Sequence, residues 1–390
     1  MLDGTRVALG VTGSIAAVKA VELAHELRRH GATVRGVMTE SAQGIIHPWA
    51  LEFATDHPPV TELTGAVEHV DLCGRDGWAD ALLIAPATAN TVGKIAAAID
   101  DTPVTTCATT ALGADVPVVV APAMHEPMYD HPGVLDAIDR VESWGVDFVD
   151  PRIEEGKAKI ASEEATVTAL TRATTPSPLE GTHVVVTSGA TTESIDPIRT
   201  LSNRASGRTG RAVARACHVR GATVTLVHDD PDVHYADVRR VESAAEMVDA
   251  TRAAVARDGD SPPADALVSA AAISDFTVET ASEKIRSGES RTLELEPTPK
   301  LLDAVRDDNP DLPMVGFKAE TSGDDDAMVE RARALLERVG LAFVVANDAT
   351  VMGDEETRAL LVQDDAVTTY TGSKAGLGAR VAADLAEHLD

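Results

Sequence analysis

Between Thr187 and Gly210 the chain gathers Asp196, Arg199, Asn203, Arg204 and Arg208 into one polar stretch, directly after an apolar run and a glycine turn at Gly189. Guanidinium forks and a carboxamide placed this close suit a ligand that carries both a phosphate and a carboxylate. A loop between a parallel strand and a helix N-terminus is also where open α/β sheets bind anions. Composition alone would equally describe a solvated surface loop. A second set of candidates lies in the first half. Gly13 and Ser14, in Gly10-Val-Thr-Gly-Ser14, can hold one phosphate on backbone N–H groups and a hydroxyl. The pattern is not G-x-G-x-x-G, so it fits a mononucleotide such as FMN better than NAD, and a plain tight turn equally well. Ala85-Pro-Ala-Thr-Ala-Asn90 puts Thr88 and Asn90 at the end of an apolar run, placed for a ligand or for capping the next helix. His69, in Glu68-His-Val-Asp-Leu72, is expected in an extended segment and is either a base or a structural histidine. Ala121-Pro-Ala-Met-His-Glu-Pro-Met-Tyr129 has the makings of a shaped, polarizable pocket wall, or of a rigid core-facing loop.

The elements that must position these residues alternate. Short apolar runs predict strands at Val7–Val11, Thr33–Met38, Ala81–Ala85, Val104–Cys107, Val116–Ala121 and Val146–Val149, of the kind buried on both faces of a parallel sheet. Helices are expected between them at about Ile15–His30, Ala89–Ala98, Gly133–Trp144 and Ser162–Ala173. The second half repeats the pattern, with strands at Val184–Thr187, Thr223–Val227, Ala266–Ser269, Met314–Phe317 and Phe343–Ala346. Its helices are expected at Gly207–Arg220, Ala244–Ala256 and Ala327–Val339. Thr357–Val362 and Ala366–Tyr370 read as a hairpin, after which Ser373 caps the last helix. Both halves open with strand, glycine turn and helix, and both helices end in Arg-(His)-Gly-Ala-Thr-Val, so the chain reads as two Rossmann-like α/β domains. The proline-rich segment 174–181 is the linker between a domain at 1–173 and one at 182–390.

Composition bounds the function. The length of 390 residues allows two domains with full cores. No run of 18 apolar residues and no signal-peptide pattern is found, which predicts a soluble, unexported protein with no membrane partner. Three widely separated cysteines argue against a disulfide framework and for the reducing cytoplasm. A net charge of −29 argues against a nucleic-acid partner. Acidic excess with eight lysines among the 34 basic residues suits a protein kept soluble in concentrated salt, as in a halophile. Each of Lys19, Lys94, Lys157, Lys159, Lys284, Lys300, Lys318 and Lys374 then has a raised chance of taking part in chemistry.

Taken in order, Gly13-Ser-Ile-Ala-Ala17, His69-Val-Asp-Leu72, Ala85-Pro-Ala-Thr-Ala-Asn90 and Pro122-Ala-Met-x-x-x-Met128 resemble the flavin-dependent cysteine decarboxylase family. Asp196-Pro-Ile-Arg-x-x-Ser-Asn203-Arg-x-Ser-Gly207, Ala270-Ala-Ala-Ile-Ser-Asp275, Lys284, Val315-Gly-Phe-Lys-Ala-Glu320 and Ala346-Asn-Asp348 resemble phosphopantothenate–cysteine ligase. The two together resemble the bifunctional coenzyme A biosynthesis family over essentially the whole chain. The resemblance implies a flavodoxin-like flavoprotein domain, then a ligase domain that ends in a β-hairpin. In the first it places FMN on Gly13, Ser14, Thr39, Ser41, Thr88, Asn90, Thr106 and Met124, with His69 as the base that prepares a cysteine thiol for oxidation. Oxidation to a thioaldehyde lets CO₂ leave, and the enethiolate that remains is then reduced. In the second it implies activation of 4′-phosphopantothenate by CTP and Mg²⁺ to an acyl-cytidylate, which cysteine attacks. Asn203 would hold the activated carboxylate and Lys284 the developing phosphate charge, and CTP would lie on Ala270, Ala271, Asp275, Lys284, the turn Pro299, Lys300, Leu301 and Leu302, and Phe317 with Lys318. It further implies decarboxylase trimers joined by ligase dimers, up to a dodecamer.

Four features depart from the family pattern. His125 stands where an asparagine is usual, and Tyr129 where a tryptophan is. The flap that carries a proton-donating cysteine reads Glu155-Gly-Lys-Ala-Lys-Ile-Ala161, without cysteine. Lys159 is the expected acid in its place, with Lys157 as competitor and a surface, substrate-steering lysine as the plainer reading. The basic run after Lys284 is thinned to Ile285-Arg-Ser287. Two rivals remain. A short-chain NAD(P) oxidoreductase lacks its later glycines and a Tyr-x-x-x-Lys pair here, and a regulatory flavoprotein would not need the ligase motifs.

Overall fold

The computed structural model describes residues 1–154, 157–256, 263–288, 290–320, 324–348 and 356–389. The chain divides into two compact units, Met1–Thr175 and Pro176–Asp390. In the first, β1 (Arg6–Val11) enters a 3₁₀ turn, Ile15–Lys19, that continues as α1 (Ala20–Arg29). Then come β2 (Thr33–Met38), α2 (Glu40–Gln43), α3 (Pro48–Thr55), α4 (Glu68–Cys73), β3 (Ala81–Ala87), α5 (Ala89–Ala96), α6 (Pro103–Gly113) and β4 (Val118–Pro122). The unit closes with β5 (Met124–His125), α7 (Glu126–Tyr129), α8 (Pro132–Glu142), β6 (Asp147–Phe148), β7 (Arg152–Glu154), β8 (Lys157–Lys159) and α9 (Glu163–Thr174). Five strands form a parallel sheet in the order β2-β1-β3-β4-β6. Side chains alternate across it: Val7, Leu9 and Val11 pack under α1 and α9, while Ala8, Leu82 and Ile84 pack under α4, α6 and α8. Both faces are therefore covered, which is why these strands read as unbroken apolar runs.

The second unit begins with β9 (His183–Thr187), the hairpin β10 (Thr192–Ser194) and β11 (Thr200–Ser202), α10 (Arg208–Val219), β12 (Thr223–His228), β13 (Asp237–Arg240), α11 (Ala244–Val255) and β14 (Ala266–Ser269). A small ribbon, β15 (Phe276–Val278) with β16 (Leu295–Pro297), precedes α12 (Leu301–Asp308). Last are β17 (Met314–Glu320), α13 (Asp325–Val339), β18 (Phe343–Asp348), β19 (Glu356–Val362), β20 (Val367–Ser373) and α14 (Lys374–Leu389). The main sheet runs β13-β12-β9-β14-β17-β18-β19-β20. It is parallel through β18, after which β19 and β20 reverse in turn, so β20 again points the way of β9. Helices α10 and α14 cover one face and α11, α12 and α13 the other.

Several sequence expectations are corrected. Val104–Cys107 is not a strand but the first turns of α6. Pro103 occupies the first helical position, and Thr102 and Thr105 form a reciprocal cap: the Thr105 amide donates to Thr102 Oγ1 at 3.2 Å and the Thr102 amide to Thr105 Oγ1 at 3.1 Å. Capping chemistry overrode β-branched propensity there. His69 sits on the short helix α4 and not in an extended segment. Six residues are too few to display a helical period, and the start is set by Glu68, which accepts the Thr64 amide at 3.0 Å. The edge strand β13 and the sheet β5-β8-β7 were not foreseen. The polar stretch after Gly189 is not a plain loop, because β10 and β11 pair within it. Glu155 and Gly156 of the flap lie outside the described residues.

Candidate active sites

Parallel sheets bind ligands beyond the carboxyl ends of their strands, at the point where strand order reverses. In the first unit that point lies between β1 and β3, and there a cavity of about 540 Å³ opens. Gly13 and Ser14 follow β1 and line it, as does Thr88 after β3. A Cβ on Gly13 would come within 2.6 Å of Ser41 Cβ, so only glycine lets the turn close against the end of β2. Ser41 in turn shares a 3.0 Å hydrogen bond with Thr39, whose oxygen caps α2. Ser14 Oγ accepts from the Ala16 amide at 3.3 Å and donates to the Ala123 carbonyl at 3.0 Å, fixing the cavity's two sides together. Thr12, which the sequence did not single out, ties β1 to β3: its hydroxyl donates to the Pro86 carbonyl (2.8 Å) and accepts from the Thr88 amide (3.1 Å).

The far wall is the small sheet in which Met124 and His125 pair with Ala158 and Lys157, and Lys159 stands opposite Arg152. Met124, His125, Met128, Arg152 and Lys159 thereby reach the same cavity as Gly13 and Thr88. Lys19, Arg152 and Lys159 line it and, among the described residues, no carboxylate does, although the chain carries a net charge of −29. Other expected residues are placed elsewhere. Asn90 is exposed on α5, and the Thr106 hydroxyl is spent on the Asp100 and Thr102 carbonyls, both at 2.9 Å. His69 does not line this cavity; its Nδ1 is buried without a hydrogen-bond partner among the described residues. The three cysteines are buried and none lines the cavity. Contact with Cys73 and burial push the Cys107 thiol far above its usual range, and burial pushes Cys217 up to about 12.

In the second unit strand order reverses between β9 and β14, and a cavity of about 490 Å³ lies there. Gly189 follows β9, and Ala270–Ile273 follow β14. The two segments are laced together: the Ala270 amide donates to the Thr187 carbonyl (3.2 Å), the Ala272 amide to Gly189 (2.9 Å) and the Ser274 amide to Thr191 Oγ1 (2.8 Å). The inserted hairpin leaves at Gly189 and returns to it, since a Cβ on Gly207 would lie 2.9 Å from the Gly189 amide. No side chain caps α10, which leaves its first amides facing the cavity beside Arg208 and Thr209. Asn203 spans the rim: its Nδ2 donates to the Ala272 carbonyl (2.6 Å) and its Oδ1 accepts the Ala205 amide (3.0 Å). Asp275, Phe317 and Lys318 line the cavity too, with Asp275 paired to Lys300 at 2.5 Å.

Pro299, Lys300, Leu301 and Leu302 do not line it; Leu301 belongs to the core. Nor does Lys284, exposed on the segment between β15 and β16. That segment is anchored through buried Asp196, which accepts the amides of Ile198 (2.9 Å), Arg199 (2.9 Å) and Ile285 (3.1 Å) and the Arg199 guanidinium. Burial alone would raise the Asp196 carboxyl, but these hydrogen bonds hold it well below the usual carboxylate range. Thr357, which the sequence did not single out, lines the cavity, as do Lys374, one of the eight lysines, and Asn347 of the Ala346-Asn-Asp348 motif, neither of which the sequence had assigned to this site. A further groove of about 680 Å³ between α13 and the β19–β20 hairpin is lined by Asp325, Asp326, Glu330 and Glu337 against one cation, Arg333, a net acidic lining that disfavours anionic substrates.

A flavin-type mononucleotide fold followed by a second nucleotide fold is the class that these sheets and cavities define. Residues 1–175 match the family model described as flavoprotein, and residues 179–389 the one described as DNA/pantothenate metabolism flavoprotein C-terminal domain. The coenzyme A biosynthesis bifunctional protein CoaBC of Thermococcus kodakarensis is 48% identical over 93% of this chain and 90% of its own. That of Methanocaldococcus jannaschii is 34% identical over 98% and 93%, respectively. The chain belongs to the bifunctional coenzyme A biosynthesis family, which joins a phosphopantothenoylcysteine decarboxylase to a phosphopantothenate–cysteine ligase. Among the described residues no helix is long and apolar enough to cross a membrane.

Proposed function

We propose that residues 182–390 join 4′-phosphopantothenate to cysteine at the expense of CTP, that residues 1–173 then decarboxylate the product with FMN, and that 174–181 is the linker. The observation that carries this reading is electrostatic. In a strongly acidic chain, both switch-point cavities present cations: Lys19, Arg152 and Lys159 in one, Arg208, Lys318 and Lys374 in the other. Such cavities suit phosphorylated ligands. The first has the size of a cofactor site, an apolar side in Ile15, Met124 and Met128, and a glycine turn at a helix start for one phosphate.

Bound FMN would supply a two-electron acceptor for the substrate thiol. This chain's own residues handle protons and carboxylates. His69 takes the thiol proton, because a thiolate is the more readily oxidised form. His125, at the cavity rim, receives the substrate carboxylate. Lys159, on the wall opposite Gly13, gives the proton that the enethiolate carbon needs. Since His69 lies outside its own cavity, we propose that a second copy brings it there. Unit 1 exposes Ile15 (77%), Trp49 (76%) and Phe53 (74%), and Val67 and Val70 flank His69, an apolar surface that a trimer would cover. Ligase dimers would join trimers into a dodecamer.

In the ligase, Asn203 orients the carboxylate being activated, and Lys284 is carried by a segment that must approach the cavity to meet the phosphates. CTP lies along Ala270, Ala271, Asp275, Phe317 and Lys318. Magnesium would ride on the nucleotide's phosphates, as this ion commonly does; among the described residues no three His, Cys, Asp or Glu side chains cluster. The test is the full chain in concentrated salt. It should be yellow, and it should release pyrophosphate when given CTP, 4′-phosphopantothenate and cysteine. A colourless protein that takes up no FMN would end the decarboxylase reading, and silence with CTP the ligase reading.

A further inference from the structure

We infer that Lys374, the first residue of α14, is a substrate-binding residue of the ligase cavity that contacts a phosphoryl group of the ligand; this rests on the ligase reading above. Strand β9, which opens the α10 module, and strand β20, which precedes α14, point the same way, and the first residues of the two helices, Arg208 and Lys374, line one cavity. Four residues in from each start their backbones touch: a Cβ on Gly378 would lie 2.5 Å from the Ala212 carbonyl. The two helices therefore run parallel and in step, with both N-termini at the cavity.

The turn that delivers Lys374 is built to hold it. Tyr370 donates to the Ser373 carbonyl at 2.9 Å, and the Ser373 hydroxyl accepts the Gly376 amide at 3.1 Å. A cation at a helix start is opposed by the helix dipole, and two parallel dipoles side by side repel one another. A chain with 63 acidic residues could place one in either first turn, yet neither α10 nor α14 has any. Two cations and two positive helix ends are thus brought together at one cavity, against the preference of the helix dipoles. A local preference set aside in this way marks a binding position. Lys318 adds a third cation. Asn347, whose Oδ1 is buried without a hydrogen-bond partner among the described residues, adds an acceptor beside them for a donor on the ligand.

Phosphate reaches this cavity from CTP or from 4′-phosphopantothenate, and titration with each separately tells them apart. Binding would be measured calorimetrically on the full chain at one ionic strength, for wild type, Lys374→Met, Lys374→Arg and Lys94→Met, a lysine of the first unit that pairs with Asp101 and does not line this cavity. Loss of one charge-assisted hydrogen bond should weaken Lys374→Met for at least one of the two ligands by about ten- to a hundredfold. Lys374→Arg should recover most of that, and Lys94→Met should bind as wild type does. Unchanged affinity for both ligands in Lys374→Met with wild-type melting would overturn the inference, as would an equal loss in Lys94→Met. Should the Met variant melt early, Lys374→Gln replaces it in the same comparison. A wild type that binds CTP through Lys374 yet releases no pyrophosphate with both other substrates would sink the ligase reading and leave the residue's role standing.

Discussion

The two units begin alike and treat the turn after their first strand differently. In unit 1, Gly13 passes straight into a 3₁₀ turn whose first free amides are partly taken by Ser14. In unit 2 a hairpin of inserted residues intervenes, Gly207 returns the chain to Gly189, and α10 starts without a capping side chain. The first arrangement suits a ligand that stays, gripped by a closed turn and walled by the β5-β8-β7 sheet. The second leaves helix amides open at a rim spanned by Asn203, which suits substrates that enter, react and leave. One strand-turn-helix module thus supports two chemistries according to what is inserted after the glycine.

The comparison breaks most sharply if activity can be lost from one unit alone. His69→Asn should lower CO₂ release by about 10²- to 10⁴-fold, the usual share of a general base, with visible absorbance and pyrophosphate release intact. Normal CO₂ release would return His69 to a structural role. The mirror experiment is Asn203→Asp, which loses the donor to Ala272 and sets a negative charge beside the substrate carboxylate. Pyrophosphate release should fall by about ten- to a hundredfold while CO₂ release from supplied substrate is unchanged, and Lys284→Gln should act the same way if its segment closes. Wild-type rates in both would remove these residues from the mechanism.

A finer test concerns the missing flap cysteine. A variant with Cys73, Cys107 and Cys217 all changed to serine should still form 4′-phosphopantetheine, because all three thiols are buried away from the cavity. Lys159→Met should release CO₂ but accumulate the enethiol by about tenfold or more over wild type. The reverse pattern would assign the proton to a cysteine. The smallest effect belongs to the hairpin of unit 2. Asp196 is held below its ordinary range, so its stabilisation is present above the unfolded carboxylate value of about 3.9 and is lost as pH falls below that. Asp196→Asn should lower the melting of unit 2 by a few degrees at neutral pH and flatten the acid limb of its stability curve. An unaltered acid limb would show that the anchor contributes nothing.

Much of the architecture could be read from local signals. Alternating apolar runs marked most of the main-sheet strands, and glycine turns marked both points where ligands would bind. Failures came where local rules compete or segments are short. Val104–Cys107 carries a strand-like composition, but the Thr102-Pro103 start and reciprocal cap decide for helix. His69 lies on a helix too short to show a period. The sheet that brings the flap's Lys159 and His125 to one cavity has two- and three-residue strands, below any pattern's reach.

Charge, strand runs, turn chemistry and the doubled module are written within windows of about ten residues, and the sequence determined them unaided. Which distant side chains share a cavity was not. Lys374 comes to Gly189 because β20 runs parallel to β9 and α14 packs in step with α10 across more than 160 residues of chain. Lys284, close to the ligase motifs in sequence, is held outside by the Asp196 anchor, and His69, on α4, does not line the cavity that Gly13 lines. Local preferences act through neighbours and capping atoms, whereas cavity membership depends on strand order and helix packing, and only the folded chain supplies those.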